Sequence, residues 1–359
     1  MAMKSMKMFG YSVLSFLLFF SVACSNSSEG RNMDDHAEYT HRPGAASEPV
    51  AIDYGLFCGD LCQEMLTLEA PRDSIKGTVG VVASGTFPYG AGTMRMAEEA
   101  VRTYFPNMEV VIGNGKSDPV IQSAVIDDFI AKQVDVLVID LVEKDTVNPA
   151  LERGKAAGIP IILIDRWSPV EVLTLIKAED VEVGRKAGQQ VVALLNGRGN
   201  VIELRGTPAS TTAIDRSKGI LEAFEGYPHI KIIESMNADF EQSKGFKIME
   251  HILQRFPSGQ INALVSHADV MTMGAIEAIK AAGREDEIVV VSVDAQETAL
   301  EAIEEGTIDA TVAYPIVMPM GIIAAAKTIA GEKMPKFIEL EAPVVTKENV
   351  EKYKGKTGY

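Results

Sequence analysis

From Gly77 onward, short apolar runs alternate with stretches in which apolar residues recur every three or four positions. The runs "GTVGVVAS" (77–84), "MEVVIG" (108–113), "VDVLVID" (134–140) and "IPIILID" (159–165) are too short and too uniformly apolar for helices. They read as strands covered on both faces, as in a parallel sheet flanked by helices. The alternation resumes with "NVIELRG" (200–206), "IKIIES" (230–235), "NALVSH" (262–267), "EIVVVSVD" (287–294) and "IDATVAY" (308–314). Between the runs, Ile121, Val125 and Phe129 mark one helix face, and Ile248, Ile252 and Phe256 mark another on a helix over 244–256. Strict alternation of strand and helix predicts parallel sheets joined by right-handed crossovers. So many strands fit two sheets better than one. The expected fold is therefore α/β, with two doubly wound parallel-sheet lobes.

The first residues do not belong to this pattern. Lys4 and Lys7 precede an apolar stretch over 12–22, shorter than the ~20 residues that span a bilayer and laid out as a secretory signal. It ends at Ser21-Val22-Ala23-Cys24, similar to a lipoprotein cleavage box with Ser21 in place of the usual leucine. Residues 1–23 are thus expected to be a signal segment and Cys24 a lipidation site, with an uncleaved anchor as the alternative. Acyl chains contribute about 0.8 kcal/mol per buried methylene, so several would hold the protein on a membrane. Residues 24–52, rich in Ser, Gly, Pro and charge, have the composition of a tether.

Composition narrows the partners. The formal charge is −16, and losing Lys4 and Lys7 makes it more negative, so nucleic acid is excluded as an expected partner. Three cysteines are few for an exported chain, so disulfides do not carry this fold. Cys58 and Cys62 are four apart. A regular helix leaves their Cβ atoms too far apart for a bond, whereas a turn at Gly59 permits one, and the sequence leaves the choice open.

In open parallel sheets, ligands bind beyond the carboxyl ends of the strands, where the strand order reverses. The residues just past each apolar run are therefore the candidate chemistry. Phe87 and Tyr89 lie in the loop after the first run, and Asp165, Arg166 and Trp167 stand at the end of the fourth. His267 and Asp269, Asp294, and Tyr314 close later ones. Charge, hydroxyl and aromatic groups gather at strand ends while the strands stay apolar, which suits a small polar ligand with apolar faces. Bland roles compete with each: a surface ion pair for Asp165–Arg166, a helix cap for Asp294, a loop contact for His267, and rim or stacking wall for Trp167.

Enzyme motifs fail on inspection. "GNGKS" (113–117) lacks the first glycine of a phosphate loop, with Val110 in its place. "GAGTMR" (90–95) puts Arg95 where a dinucleotide fingerprint needs its third glycine. There is no GxSxG elbow, no HExxH, and no histidine–cysteine set at metal spacing. No enzyme activity, cofactor or metal is expected.

The fragments "VLVIDLVEKDTVNPALERGKAAGIPIILIDRW", "NVIELRG", "AIDRSKG", "ADFEQSKG", "SHADVMTMGAIEAIKAAG" and "VVVSVD" lie in an order and spacing specific to one family. From about Gly77 to the C-terminus the chain resembles the type I periplasmic sugar-binding proteins of the ribose, galactose and related class. The resemblance implies two lobes closing on one ligand, joined by three crossings near 178–180, 314 and 343. The lobes would comprise 77–177 with 315–342 and 178–314 with 343–359, after an N-terminal extension over 53–76. It further implies that Asp165 and Arg166 bind sugar hydroxyls from the first lobe. Arg216 is the second lobe's arginine, Phe240 covers one ring face, and Asp294 accepts from hydroxyls. By residue pattern alone, Arg216 reads as a solvated helix residue and Phe240 as core. The chain departs from the family at Ala268, Tyr314 and Phe87, where polar side chains are usual, leaving His267, Asp269, Tyr314 or water to replace the lost contacts.

The implied function is capture of a sugar or polyol and delivery to an ABC transporter permease, by a monomer anchored at the periplasmic or cell-surface side of a membrane. A sensory subunit engaging a chemoreceptor or kinase, or a receptor for a nucleoside or furanosyl signal, uses the same lobes.

Overall fold

A computed structural model describes residues 54–359. The expected signal segment, the lipidation site Cys24 and the tether lie outside the described residues. After the short helix α1 (Asp60–Met65), the first lobe opens with β1 (Gly77–Ala83), α2 (Pro88–Tyr104), β2 (Met108–Asn114) and α3 (Pro119–Ala131). It continues with β3 (Val136–Asp140), α4 (Lys144–Ala156), β4 (Ile161–Ile164) and β5 (Thr174–Ala178). The second lobe runs through α5 (Asp180–Leu194), β6 (Arg198–Arg205), α6 (Thr211–Phe224), β7 (His229–Asn237) and α7 (Gln242–Arg255). It then adds β8 (Ala263–Ser266), α8 (Asp269–Ala281), β9 (Val289–Asp294), α9 (Glu297–Glu305) and β10 (Ala310–Ala313). The chain returns to the first lobe for α10 (Met318–Ile329) and β11 (Phe337–Leu340), and finishes on the second with β12 (Val344–Thr346).

Each lobe holds one six-stranded sheet, ordered β11-β5-β4-β3-β1-β2 and β12-β10-β9-β8-β6-β7. All pairings are parallel except β10 with β12. The order reverses between β1 and β3 in one sheet and between β6 and β8 in the other. The expected α/β fold of two doubly wound lobes is the one observed. Strands β3, β4, β8 and β10 are buried along their whole length, as a sheet covered on both faces requires.

Three strands escaped the sequence reading. β5, "TLIKA", carries a lysine, and β11 and β12 are short edge strands whose residues alternate between buried and less buried. The face of α3 is rotated from the one expected: Phe129 is buried and Val125 half-buried against the core, but Ile121 is exposed, and Gln122 and Ile126 are buried. Gln122 turns inward because the end of β3 needs its amide. Its Nε2 donates to the Asp140 carbonyl at 2.7 Å and its Oε1 accepts from the Val142 N–H at 2.7 Å. Asp118 caps this helix, accepting from the N–H groups of Val120 and Ile121 ahead of Pro119.

In the second lobe, α5 and α6 touch backbone to backbone. A Cβ on Gly184 would lie 2.0 Å from the Arg216 carbonyl oxygen, and one on Gly219 would lie 1.9 Å from that of Val181. This contact sets Arg216 beside the first turn of α5.

The segment before Gly77 belongs to both lobes. Phe57 is fully buried in the second lobe's core, its ring 6.3 Å from that of Tyr353. Its carbonyl accepts from the Glu341 N–H, and the Tyr54 hydroxyl accepts from the Met320 N–H on α10. Cys58 and Cys62 form a disulfide, with Cα atoms 5.0 Å apart, resolving the choice the sequence left open.

Candidate functional site

Beyond the carboxyl ends of both sheets lies a cavity of about 30 Å³, lined by Phe87, Pro88, Tyr89, Asp165, Arg166, Thr212, Arg216, Phe240, Ala268, Val270, Asp294, Gln296 and Tyr314. The two lobes contribute to it together. From the first come the β1–α2 loop and the turn after β4; from the second come α6, the loop before α7, and the turns after β8 and β9.

In the first lobe, β4 is followed by Asp165 in the left-handed region (φ 64), a conformation that costs energy for any residue with a Cβ. The turn brings the Asp165 carboxylate within 3.3 Å of Arg166 Nε. Arg166 Nη1 donates to the carbonyls of Leu141 and Val142, at 2.8 Å for the latter, so the segment held by Gln122 braces the guanidinium. The guanidinium also lies 6.0 Å from the Phe87 ring centroid and 5.7 Å from that of Phe240. These two rings, one from each lobe, stack at 6.2 Å and 25°. Behind Asp165, Asp140 accepts from the Ser84 backbone N–H at 3.2 Å and from its hydroxyl. Burial raises both carboxyls, Asp140 to about 7, against the opposing pull of Arg166.

In the second lobe, Arg216 is buried rather than solvated. Its Nε donates to Asp180 at 2.9 Å, its Nη1 donates to the His267 carbonyl and lies 3.5 Å from Asp294, and it sits 4.8 Å over the Tyr314 ring. Burial works against this charge, but Asp180 and Asp294 outweigh it and keep the guanidinium protonated. Lys177, at the end of β5, also reaches Asp180 at 2.6 Å. Asp294 has positive φ (120) and accepts from Gln296 Nε2 at 3.3 Å. Burial raises its carboxyl well above the usual range, with Arg216 opposing.

Of the residues singled out from sequence, Phe87, Tyr89, Asp165, Arg166, Arg216, Phe240, Asp294 and Tyr314 converge on this cavity. Three do not. His267 is fully buried within its lobe, its Nε2 3.1 Å from Glu203, and burial lowers its basicity despite that partner. Asp269 opens α8 and accepts from the Gln296 N–H (2.8 Å) and the Thr311 hydroxyl (3.1 Å), so it ties β10 to the turn after β9. The chain past β8 turns Ala268 and Val270 into the cavity and the two polar residues away from it. Trp167 lies outside the cavity, its Nε1 donating across to Asp215 Oδ2 at 2.9 Å and its ring under Lys144. The polar lining residues missed from sequence are Thr212 and Gln296; the second stands two positions after Asp294, which was the available signal.

Among the described residues, no group of His, Cys, Asp and Glu could hold a metal ion, and no helix is long and apolar enough to cross a membrane.

Comparisons with known proteins agree with this architecture. The galactofuranose-binding protein YtfQ of Escherichia coli (strain K12) is 37% identical over 178 residues, 48% of this chain and 56% of that protein. The matches span about three fifths of the length of such curated relatives, 56% to 63% for three of them. An ABC transporter solute binding protein from Bacillus halodurans C-125, solved with bound myo-inositol, has a TM-score of 0.75 at 27% identity, covering 80% of this chain and 99% of that one. The fructose binding periplasmic domain of a hybrid two component system has a TM-score of 0.73 at 28% identity, covering 77% and 93%. The family model described as "Periplasmic binding protein domain" matches residues 81–331, more than half of the sequence. With two doubly wound lobes facing a shared cavity, this chain belongs to the periplasmic binding protein family.

Proposed function

We propose that the protein is an exported, lipid-anchored receptor that captures a sugar or sugar-like polyol between its lobes and delivers it to an ABC importer. The observation that carries this reading is the pairing of like chemistry from opposite sides of one cavity. Asp165 and Arg166 come from one lobe, Arg216 and Asp294 from the other, with Phe87 and Phe240 beside them. Carboxylates accept from neighbouring hydroxyls, guanidinium forks donate to ring and hydroxyl oxygens, and aromatic rings cover C–H faces. Two acids and two arginines line the cavity together, a set of acceptors and donors suited to a hydroxyl-rich ligand.

A cavity of about 30 Å³ is on the order of one water's share of liquid volume, far below the roughly 300–1,000 Å³ of small-molecule sites. Entry therefore requires the lobes to part about the three crossings, and the ligand favours closure only through contacts made by both lobes at once. The relatives named above bind a furanose, an inositol and fructose, which supports a monosaccharide or cyclic polyol here. Residues 1–24 support export and anchoring at the periplasmic or cell-surface side of a membrane. The fructose binding domain of a two component system favours a second reading, in which the closed form signals to a kinase. Neighbouring genes for a permease and ATPase, or for a kinase, separate the two.

The test is calorimetry and thermal shift with D-galactose, D-ribose, L-arabinose, D-fructose, xylitol and myo-inositol. A ligand at a hundred times its Kd adds about 2.7 kcal/mol of stability. Arg166→Ala and Asp294→Ala each remove a charge-assisted hydrogen bond worth about 1.5–3 kcal/mol, so each should weaken binding more than tenfold while the fold persists. Unchanged affinity in both variants would refute the site.

A further inference from the structure

The first turn of α6 holds three consecutive hydroxyls, Ser210, Thr211 and Thr212, all at least 97% buried. None of their oxygens has a hydrogen-bond partner, and Ser210, at the N-cap position, makes no capping bond. Buried polar groups are nearly always satisfied, so an orphan in a native fold calls for a reason. Thr212 supplies one, because it lines the cavity. The same lobe also lines the cavity with Phe240, Ala268 and Val270, three apolar residues that offer a ligand oxygen no hydrogen bond from their side chains.

A helical threonine ordinarily satisfies its hydroxyl on the carbonyl one turn back. Thr272 of α8 does so, its Oγ1 donating to the Ala268 carbonyl at 3.0 Å. Thr212 is the second residue of its helix and has no preceding turn to supply that carbonyl. Its hydroxyl is therefore uncommitted, at a helix end where backbone N–H groups favour an oxygen acceptor.

We propose that Thr212 is a specificity-determining residue whose hydroxyl donates to one oxygen of the bound sugar or polyol, on the side facing Phe240, Ala268 and Val270. This rests on the sugar-binding reading and adds to it. The two acid–arginine pairs bind hydroxyls elsewhere on the ligand, whereas Thr212 separates a ligand that carries an oxygen on this side from the analogue that lacks it.

The experiment uses the full chain, the variants Thr212→Val and Thr212→Ser, the same six compounds, and the monodeoxy derivatives of each compound that binds. Thr212→Val should lose about tenfold in affinity for the parent compound, and Thr212→Ser should retain it. One monodeoxy derivative should bind wild type and Thr212→Val equally. Without ligand, Thr212→Val should melt at or above the wild-type temperature, since it removes an unsatisfied buried hydroxyl. Equal affinity of wild type and Thr212→Val for every parent compound overturns the inference, and so does a lower melting temperature of the free variant, which would reveal a partner inside the protein. Failure of all six to bind wild type overturns the sugar reading and this inference with it.

Discussion

Trp167 and Asp215 offer a way to perturb closure without touching the cavity. The indole Nε1 donates to Asp215 Oδ2 at 2.9 Å, from the turn after β4 in one lobe to α6 in the other, and neither residue lines the cavity. If ligand capture is closure about the three crossings, this bond exists only in the closed form and biases the equilibrium toward it. A hydrogen bond to a charged acceptor is worth about 1.5–3 kcal/mol when buried. Both residues are only partly buried, so solvent reduces this to about 1 kcal/mol, or a factor of roughly five in Kd. Trp167→Phe and Asp215→Ala should each weaken binding by about that factor, chiefly through faster dissociation. The double variant should be no weaker than either single one, because both remove the same bond. Calorimetry and stopped-flow measure the cycle, and in Asp215→Ala the chain's one tryptophan reports closure by its own fluorescence. Additive losses in the double variant, or wild-type affinity in Asp215→Ala, would refute the latch.

Two further predictions concern stability. Burial pushes the Asp269 carboxyl up to about 7 against hydrogen bonds from Ser292, Gln296 and Thr311. An acid raised in this way contributes stability that is complete below its unfolded value near 4 and is lost as pH rises through 7. The stability of wild type relative to Asp269→Asn should therefore fall from pH 5 to pH 8, and a difference in Tm that does not change with pH would show that the carboxyl is ionised throughout. Phe57→Ala empties a fully buried aromatic site in the second lobe's core and should cost about 3–5 kcal/mol in denaturant unfolding. A loss below about 1 kcal/mol would mean that the segment before Gly77 is not part of the cooperative unit.

Legibility tracked how local each cause is. The buried strands show in the sequence because a strand covered on both faces must be apolar along its whole length, as "IILI" of β4 is. The edge strands β11 and β12, with fewer buried positions, left no such run. Strand ends were legible as a site because the topology of parallel sheets sends them to one crevice, and Asp165, Arg166 and Asp294 converge there. Arg216 and Phe240 were found only through resemblance. By pattern, one is a helix residue and the other core, and nothing near them in the chain distinguishes a cleft from either.

The sequence alone settles the layered α/β architecture and which strand ends carry polar chemistry, because both arise from periodicity within a few residues. Only the tertiary structure decides which of those side chains face the cavity. A rotation of one residue separates Ala268 and Val270 from His267 and Asp269, and that rotation is set by partners distant in sequence: Glu203, Gln296 and Thr311. The same holds for the inward turn of Gln122, the burial of Arg216 against Asp180, and the seat of Phe57 in the far lobe, each fixed by a contact that the local pattern does not encode.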